Sequence, residues 1–293
     1  MNDIGQKLIT AWTWISSLIL VSAFAAIIVF LIHTGLPAVN LRLIFGDTPA
    51  WSALLLQKPV FGGLLPAIAG TLLLVLTAVS LAMPVGVGAG IYLAEYSHGW
   101  MKQTLSLLFD ILAGIPSIVV GLAGFCLSVF LHRHLSTRIY PCLLISALSL
   151  AFLVLPYLIR STQTALESLP VEDRITAPAL GASKLQNIVF VLVPRALDGI
   201  VNGVILSIGR CAEDTAVIML TGVVATAGIP NSLLGSYEAL PFYIYYISSQ
   251  YMDRQELLKG YAAALILLTL CALLFALSLA IKKILTRRLR TRV

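Results

Sequence analysis

The chain has 293 residues, of which 59% are hydrophobic and only 11% are charged. Soluble globular proteins carry about 25% charged residues, so this composition excludes an ordinary soluble domain and indicates a membrane protein with several spans. The net charge of +6 arises largely from the C-terminal run KKILTRRLRTRV, which membrane orientation explains without a nucleic-acid partner. The histidines and cysteines are scattered along the sequence, so we expect no metal and no other cofactor.

A helix needs about 20 mostly apolar residues to cross the hydrocarbon core of a bilayer. Six stretches meet this requirement: 11–33, 64–93, 105–131, 139–160, 199–223 and 258–284. We therefore predict an all-α polytopic protein, with six transmembrane helices in contact with lipid and one domain over residues 1–293. The first stretch is too long for the apolar part of a cleaved signal peptide, so we interpret it as a retained anchor.

The distribution of Lys and Arg predicts which ends of the spans face the cytoplasm. If both termini are cytoplasmic, twelve of the 19 basic residues lie in inner segments and six in outer ones, with Arg210 inside the fifth span. Cytoplasmic segments of membrane proteins are enriched in basic residues. We therefore predict that both termini and the connection 161–198 face the cytoplasm, whereas the connections 34–63 and 224–257 face outside.

The second span contains three alternating glycines, Gly86, Gly88 and Gly90, in the stretch PVGVGAGIYLAEY. A dinucleotide-binding loop with such glycines requires a soluble strand followed by a turn and a helix. Within a membrane, small residues instead let two helices approach closely. We therefore predict that these glycines pack against another span.

The cytoplasmic connection contains VEDRITAPALGASKL, which predicts short helical pieces with Pro170 just ahead of them and a turn at Gly181. Proline is favoured at the start of a helix, and glycine is favoured just after its end. Taken by itself, this pattern also fits an ordinary amphipathic connector between two spans.

The fifth predicted span carries three ionisable residues within five positions, in the stretch GRCAEDTAV. Each ionised side chain at mid-span costs about 2.5–3.5 kcal/mol, so the group must face other helices or water rather than lipid. At about 100° per residue, one side of a continuous helix collects Gly203, Ser207, Arg210, Asp214, Val217 and Thr221, with Glu213 at the edge. We predict that the polar members line a substrate pathway, namely Arg210, Glu213, Asp214, Ser207 and Thr221. The alternative is a structural ion pair that orients the span.

The stretch APALGASKLQNIVFVLVP resembles the signature loop of the membrane subunits of ATP-binding-cassette importers. Gly181 lies ten residues before Val191, and Pro194 closes the pattern. The chain departs from the signature where Ile175 and Thr176 occupy its glutamate and first alanine positions, while Ala177 matches.

The resemblance implies that the connection 161–198 is a coupling loop, whose short helix docks on a separate ATPase dimer. The residues that it implies for this contact are Glu172, Arg174, Ala177, Gly181, Ala182, Ser183 and Lys184. The chain has no phosphate-binding loop of the type G-x-x-x-x-G-K-[ST], so ATP hydrolysis is expected in the partner and not in this chain.

Three further stretches narrow the resemblance to the phosphate-specific permeases: GIYLAEYS (90–97), LAGIPSIVVGL (112–122) and GRCAEDTAV. The resemblance implies the MetI-like permease architecture in a bacterial inner membrane, a second homologous permease subunit and an extracytoplasmic phosphate-binding protein. GGLLPAIAGTL and ALPFYIYY favour the A-type (PstA-like) subunit, whereas AVIMLTG favours the C-type subunit.

Two other functions stay open at this point. Another oxyanion, such as molybdate or sulfate, could be the substrate of the same kind of importer. The chain could also be an independent secondary transporter or channel, which a broken helix and an inverted repeat would favour. Neither feature is evident in the sequence.

Overall fold

The computed structural model describes residues 3–46, 48, 63–135, 140–230 and 232–290. Several sequence predictions fall outside these ranges: half of the predicted external connection 34–63, the first residue of the predicted fourth span, and the end of the basic C-terminal run. Within the described residues the fold is helical, and its extended pairing consists of one isolated bridge between Val223 and Tyr237.

The helices, in chain order, are α1 (Asp3–Gly35), α2 (Leu41–Phe45), α3 (Leu65–Ile91), α4 (Gly99–Ala113), α5 (Ser117–His134), α6 (Leu143–Glu167), α7 (Val171–Ala179), α8 (Lys184–Asn187), α9 (Val193–Glu213), α10 (Thr215–Thr221), α11 (Leu240–Gln250) and α12 (Arg254–Arg290). A π-helical turn, Tyr92–Tyr96, continues α3, and a second one, Ile188–Leu192, joins α8 to α9. Among the residues that the structure describes, six helices are long and apolar enough to cross a membrane: α1, α3, α5, α6, α9 with the turns before it, and α12. The predicted all-α class with six spans is confirmed.

The predicted third span, 105–131, is wrong at its start. Residues 99–113 form the separate amphipathic helix α4, and the span itself, α5, begins only at Ser117. The break falls at Gly114-Ile115-Pro116. Proline lacks the backbone N–H that would continue a helix and disfavours helical geometry in the residue before it, so two helices meet at this point.

The predicted fifth span, 199–223, is also wrong as one continuous helix. α9 starts earlier and ends at Glu213, and Asp214 adopts an extended conformation with φ −76° and ψ 107°. The Asp214 carboxylate accepts a hydrogen bond from the backbone N–H of Val217 at 2.9 Å. This N-cap starts the separate short helix α10, because aspartate at such a position satisfies a backbone donor that the helix leaves free.

α6 is the most buried of the six spans and lies at the centre of the described bundle. α3 approaches it through two of the three predicted glycines. A Cβ atom added to Gly86 would lie 2.6 Å from Leu158 Cβ, and one added to Gly90 would lie 2.5 Å from Thr162 Cβ. Gly88 faces open space. The predicted close packing therefore holds for Gly86 and Gly90 and not for Gly88.

α9 approaches α6 in the same way. Cβ atoms added to Gly199 and Gly203 would lie 2.4 Å from Ala165 Cβ and 2.6 Å from Ser161 Cβ. The Ser161 hydroxyl also donates to the Gly199 carbonyl at 2.6 Å. Small residues four positions apart thus bring the backbone of α9 against α6, and this contact fixes the helix that carries Arg210.

Candidate translocation site and the loop between α6 and α9

Arg210 lies near the end of α9 and is the centre of the predicted charge cluster. Its Nη1 donates to Glu213 Oε1 at 3.0 Å, and its Nη2 lies 3.5 Å from Asp214 Oδ2. The two carboxylates differ in environment, because the Glu213 side chain is 65% exposed whereas that of Asp214 is 3% exposed. Asp214 is therefore fixed by its N-cap bond, and Glu213 is the partner that is free to move.

Arg210 and Glu213 face a groove of about 840 Å³ between α6, α9 and α12. The lining residues are Tyr157, Asn202, Ile205, Leu206, Gly209, Arg210, Glu213, Phe275 and Leu279. About a third of the Arg210 side chain is exposed, and a guanidinium has several N–H donors in a planar fork. The groove can therefore present a cation with spare donors to an oxyanion, next to a carboxylate that can accept a proton-bearing oxygen.

The other predicted pathway residues do not line this groove. Ser207 is fully buried and donates to the Gly203 carbonyl at 2.9 Å. Thr221 is also fully buried, and its hydroxyl donates to Ser146 Oγ at 2.8 Å. The structure thus brings Arg210, Glu213 and Asp214 together and leaves Ser207 and Thr221 in helix contacts. One continuous helix would have placed Thr221 on the same side as Arg210. Because the helix breaks at Asp214, Thr221 does not share that side.

The predicted pathway residues do not include two polar residues that line the groove, Tyr157 on α6 and Asn202 on α9. Asn202 lies on the same face as Leu206, Gly209 and Glu213, at helical spacing. An asparagine within an apolar span was therefore a usable signal. Tyr157 has no such signal, because its place depends on how α6 packs against α9.

The loop between α6 and α9 has the short helix and the turn that the sequence predicts. α7 ends in a Schellman motif, in which Gly181 N–H donates to the Pro178 carbonyl at 2.9 Å and Ala182 N–H donates to the Ala177 carbonyl at 3.1 Å. Gly181 has a φ of +93°, which favours glycine. Ser183 then starts α8 through a capping box with Gln186.

The predicted contact residues of this loop have two different surroundings. Arg174 is half-buried and Lys184 is exposed as a whole, and the charged group of each contacts Glu95 at the end of α3. Glu172, Gly181 and Ser183 are exposed, and Ala177 and Ala182 are half-buried. The loop also exposes large apolar side chains, each more than half exposed: Val171, Ile175, Leu180, Leu185 and Phe190.

Comparison with known proteins assigns this arrangement of helices to a family. Residues 86–291 match the family of the binding-protein-dependent transport system inner membrane component. The chain belongs to this family. The match includes the loop between α6 and α9, the Arg210 cluster, the end of α3 and the four spans that follow it. The transporter resemblance inferred from the sequence is therefore confirmed.

Individual relatives of this permease extend the similarity to nearly the whole chain. The chain is 32% identical over 272 residues to the phosphate transport system permease protein PstA of Haemophilus influenzae, and this alignment covers 92% of each chain. A permease chain of the MetNI methionine ABC transporter in an inward-facing conformation has a TM-score of 0.57 at 19% identity, covering 82% of this chain and 100% of that one. A chain of a bacterial ABC transporter for import of the acidic polysaccharide alginate has a TM-score of 0.57 at 16% identity and covers 99% of both.

These similarities confirm the MetI-like permease fold and the predicted resemblance to the A-type phosphate permeases. The family is an inner-membrane component with several spans, so this permease is a multi-pass membrane protein.

Proposed function

We propose that this chain is the A-type permease subunit of a phosphate importer driven by ATP hydrolysis. In this proposal it forms the translocation pathway with a homologous permease, couples to an ATPase dimer and receives phosphate from an extracytoplasmic binding protein. The observation that carries the proposal is the 32% identity to a PstA permease over 92% of both chains. The exposed apolar side chains of the cytoplasmic loop supply a surface for the ATPase.

Arg210 and Glu213 are the residues that we propose to contact phosphate. Near pH 7, phosphate still carries protons, so it can accept hydrogen bonds from the Arg210 guanidinium while it donates one to Glu213. Sulfate can only accept. The 3.0 Å bond between Arg210 and Glu213 would then open to admit the substrate, and the exposure of Glu213 makes that movement inexpensive.

The proposed mechanism is alternating access. The loop between α6 and α9 would lie in the cytoplasm together with both termini, and the ATPase would move it as the ATPase dimer closes and opens. A ligand or partner shifts a conformational equilibrium only through different contacts in the two states. The ATPase must therefore contact the loop differently when ATP is bound.

An independent secondary transporter is the second candidate, because α9 and α10 form a broken helix at Asp214. In such transporters the end of a half-helix faces an anionic substrate. Here the Asp214 carboxylate already caps the N-terminus of the short helix α10. The break therefore offers no anion site of its own, and the permease proposal keeps the stronger support.

Affinity purification through a tag on this chain separates the candidates. We expect an ATPase and a second permease to co-purify from the native membrane, each in a constant ratio to the tagged chain. Uptake of labelled phosphate by the same cells should resist a tenfold excess of sulfate or molybdate. Recovery of the chain alone, with uptake intact, would favour a secondary transporter, and strong competition by molybdate or sulfate would favour another oxyanion.

A further inference from the structure

Glu95 is a buried carboxylate at the cytoplasmic end of the second span. It lies in the π-helical turn Tyr92–Tyr96 that continues α3, and only 8% of the residue is exposed. Arg174 of the loop helix α7 pairs with it, since both Nε and Nη2 lie 3.2 Å from Glu95 Oε1. A buried carboxylate in an apolar helix end is costly unless it is paired, so this contact fixes where α7 can sit.

Arg174 joins three segments at this point. Besides Glu95, its Nη1 donates to the Leu169 carbonyl at 2.8 Å and its Nη2 donates to the Leu166 carbonyl at 2.6 Å. Asn187 Nδ2 in turn donates to the Arg174 carbonyl at 3.1 Å. The end of α6, the loop helix α7 and the short helix α8 are thus held together through one side chain and its backbone.

Lys184 makes a second contact with the same turn. Its ammonium group donates to the Glu95 carbonyl and lies 4.5 Å from the centre of the Tyr96 ring. A cation over an aromatic face is attracted by the ring. The loop therefore contacts the end of α3 twice. Arg174 makes one contact from before Gly181 in the sequence, and Lys184 makes the other from after it.

This junction contains polar atoms that lack partners in the present conformation. Within the part of the chain that the structure describes, Ser97 Oγ, Asp173 Oδ2 and Asn187 Oδ1 are buried without a hydrogen bond. Glu95, His98, Arg174, Lys184 and Asn187 line a cavity of about 470 Å³ at the same place. Buried polar groups are nearly always paired. Both π-helical turns contribute to the junction, and such turns are frequent where helices change during function.

We infer that Glu95 is a positioning residue for coupling: it ties the loop 168–187 to the second span, so that movement of the loop moves α3. The family signature has its glutamate on the loop, where this chain has the exposed residue Ile175. Here the loop instead presents apolar side chains outward, and its charged contacts face Glu95. The inference rests on the proposed function, because coupling requires that an ATPase docks on the loop.

The test uses the assembled complex in liposomes with its binding protein, phosphate and ATP. Glu95→Gln keeps the size of the side chain and removes the charge that Arg174 pairs with. We expect the amount of phosphate taken up per ATP hydrolysed to fall about tenfold, while the complex still assembles. The matched control is Glu167→Gln, which removes a carboxylate from the more exposed ion pair with Lys102; its ratio should stay within about twofold of the unmodified complex.

Hydrogen exchange separates this inference from the proposed function. In Glu95→Gln, backbone amides of residues 174–187 should exchange about tenfold faster than in the unmodified complex, and those of the Glu167→Gln complex should not. Unchanged exchange in the loop, or an unchanged uptake ratio, would overturn the role of Glu95. If the unmodified complex takes up no phosphate with ATP, the proposed function fails and the exchange rates alone decide whether Glu95 holds the loop.

A second variant covers the case in which Glu95→Gln does not assemble. Lys184→Met leaves the Glu95–Arg174 pair intact and removes only the ammonium group that contacts the Glu95 carbonyl and the Tyr96 ring. We expect a smaller fall in the uptake ratio, about threefold, with faster exchange confined to residues 183–187. A Lys184→Met complex that matches the unmodified one in both measurements would contradict the inference.

Discussion

At the scale of single residues, the pairing of Arg210 decides between a structural and a transport role. Its two carboxylate partners have different roles, since Asp214 caps α10 and Glu213 is exposed to the groove. A residue whose only role was structural would be expected to be enclosed, whereas about a third of Arg210 is exposed. The geometry therefore favours contact with a substrate.

We predict that Arg210→Ala lowers phosphate uptake at least a hundredfold while the amount of assembled complex stays within about twofold. Asp214 keeps its bond to the Val217 N–H in this variant, so no buried carboxylate loses its last partner. Arg210→Lys should also lose most of its uptake, because lysine keeps the charge but loses the planar fork that binds two oxygens. Complex yield and labelled uptake are measured on the same membranes.

The double variant Arg210→Ala with Asp214→Asn distinguishes the two roles, because asparagine removes the charge and keeps an oxygen that can cap α10. A structural pair predicts that Arg210→Ala alone reduces folded protein, because stranding a fully buried charge costs about 3–5 kcal/mol. It also predicts that the second change restores both protein and uptake. Restored uptake in the double variant would therefore contradict contact of Arg210 with phosphate.

The sequence showed part of this site and missed the rest for physical reasons. Arg210, Glu213 and Asp214 were found because ionised residues are rare and costly within an apolar span. Ser207 and Thr221 were grouped with them on the assumption of one continuous helix. The Asp214 cap breaks that helix, and its preference for N-cap positions was a signal that the assumption overlooked. Glu95 was missed because its partner lies 79 positions away in sequence.

At the scale of elements, small residues set the distances between α6 and its two neighbours. The alternating glycines of α3 were predicted to pack, and two of the three do. The sequence could not distinguish Gly88 from the other two because all three fit a pattern of small residues. Helical geometry makes the distinction, since Gly86 and Gly90 share one face of α3 and Gly88 points elsewhere.

We predict opposite outcomes for the same substitution at two neighbouring glycines. Gly90→Leu should reduce folded protein at least fivefold, because a Cβ there would meet Thr162 Cβ at 2.5 Å and the Ile159 carbonyl at 2.8 Å. Gly88→Leu should express normally, since nothing lies within 4 Å of its Cβ position. Yield after detergent extraction and gel filtration measures both. Equal yields would show that α3 and α6 do not pack in this way.

The turn after α7 depends on the conformation of a single glycine. We predict that Gly181→Ala weakens co-purification of the ATPase severalfold, because a side chain at φ +93° is strained by about 1–2 kcal/mol even though the surrounding space is open. Gly88→Ala is the control, as a glycine with equally open surroundings but helical backbone. Full recovery of the ATPase with Gly181→Ala would argue against docking at this turn.

At the scale of the whole molecule, the six candidate spans of the described residues predict that both termini lie on one side of the membrane. Composition was sufficient to predict the number of spans, but their ends depended on local signals. Pro116 and Asp214 each split a stretch that hydropathy treats as continuous. The excess of basic residues in the proposed inner segments predicts the orientation.

Single cysteines test this orientation in a background that lacks the four native ones. We predict that a cysteine at Ser232, which is exposed in the connection between α10 and α11, reacts with a membrane-impermeant maleimide from outside the cell. A cysteine at Thr291 should react only after the membrane is opened. Labelling of both from the same side would exclude the six-span orientation.

We propose that ATP hydrolysis by a partner drives phosphate through a pathway that includes Arg210. The most direct test is uptake of labelled phosphate into liposomes that hold the purified complex, with the binding protein on one side and ATP on the other. We predict accumulation that requires ATP and the binding protein and that Arg210→Ala reduces at least a hundredfold. Accumulation without ATP, or equal accumulation by the Arg210→Ala complex, would contradict the account.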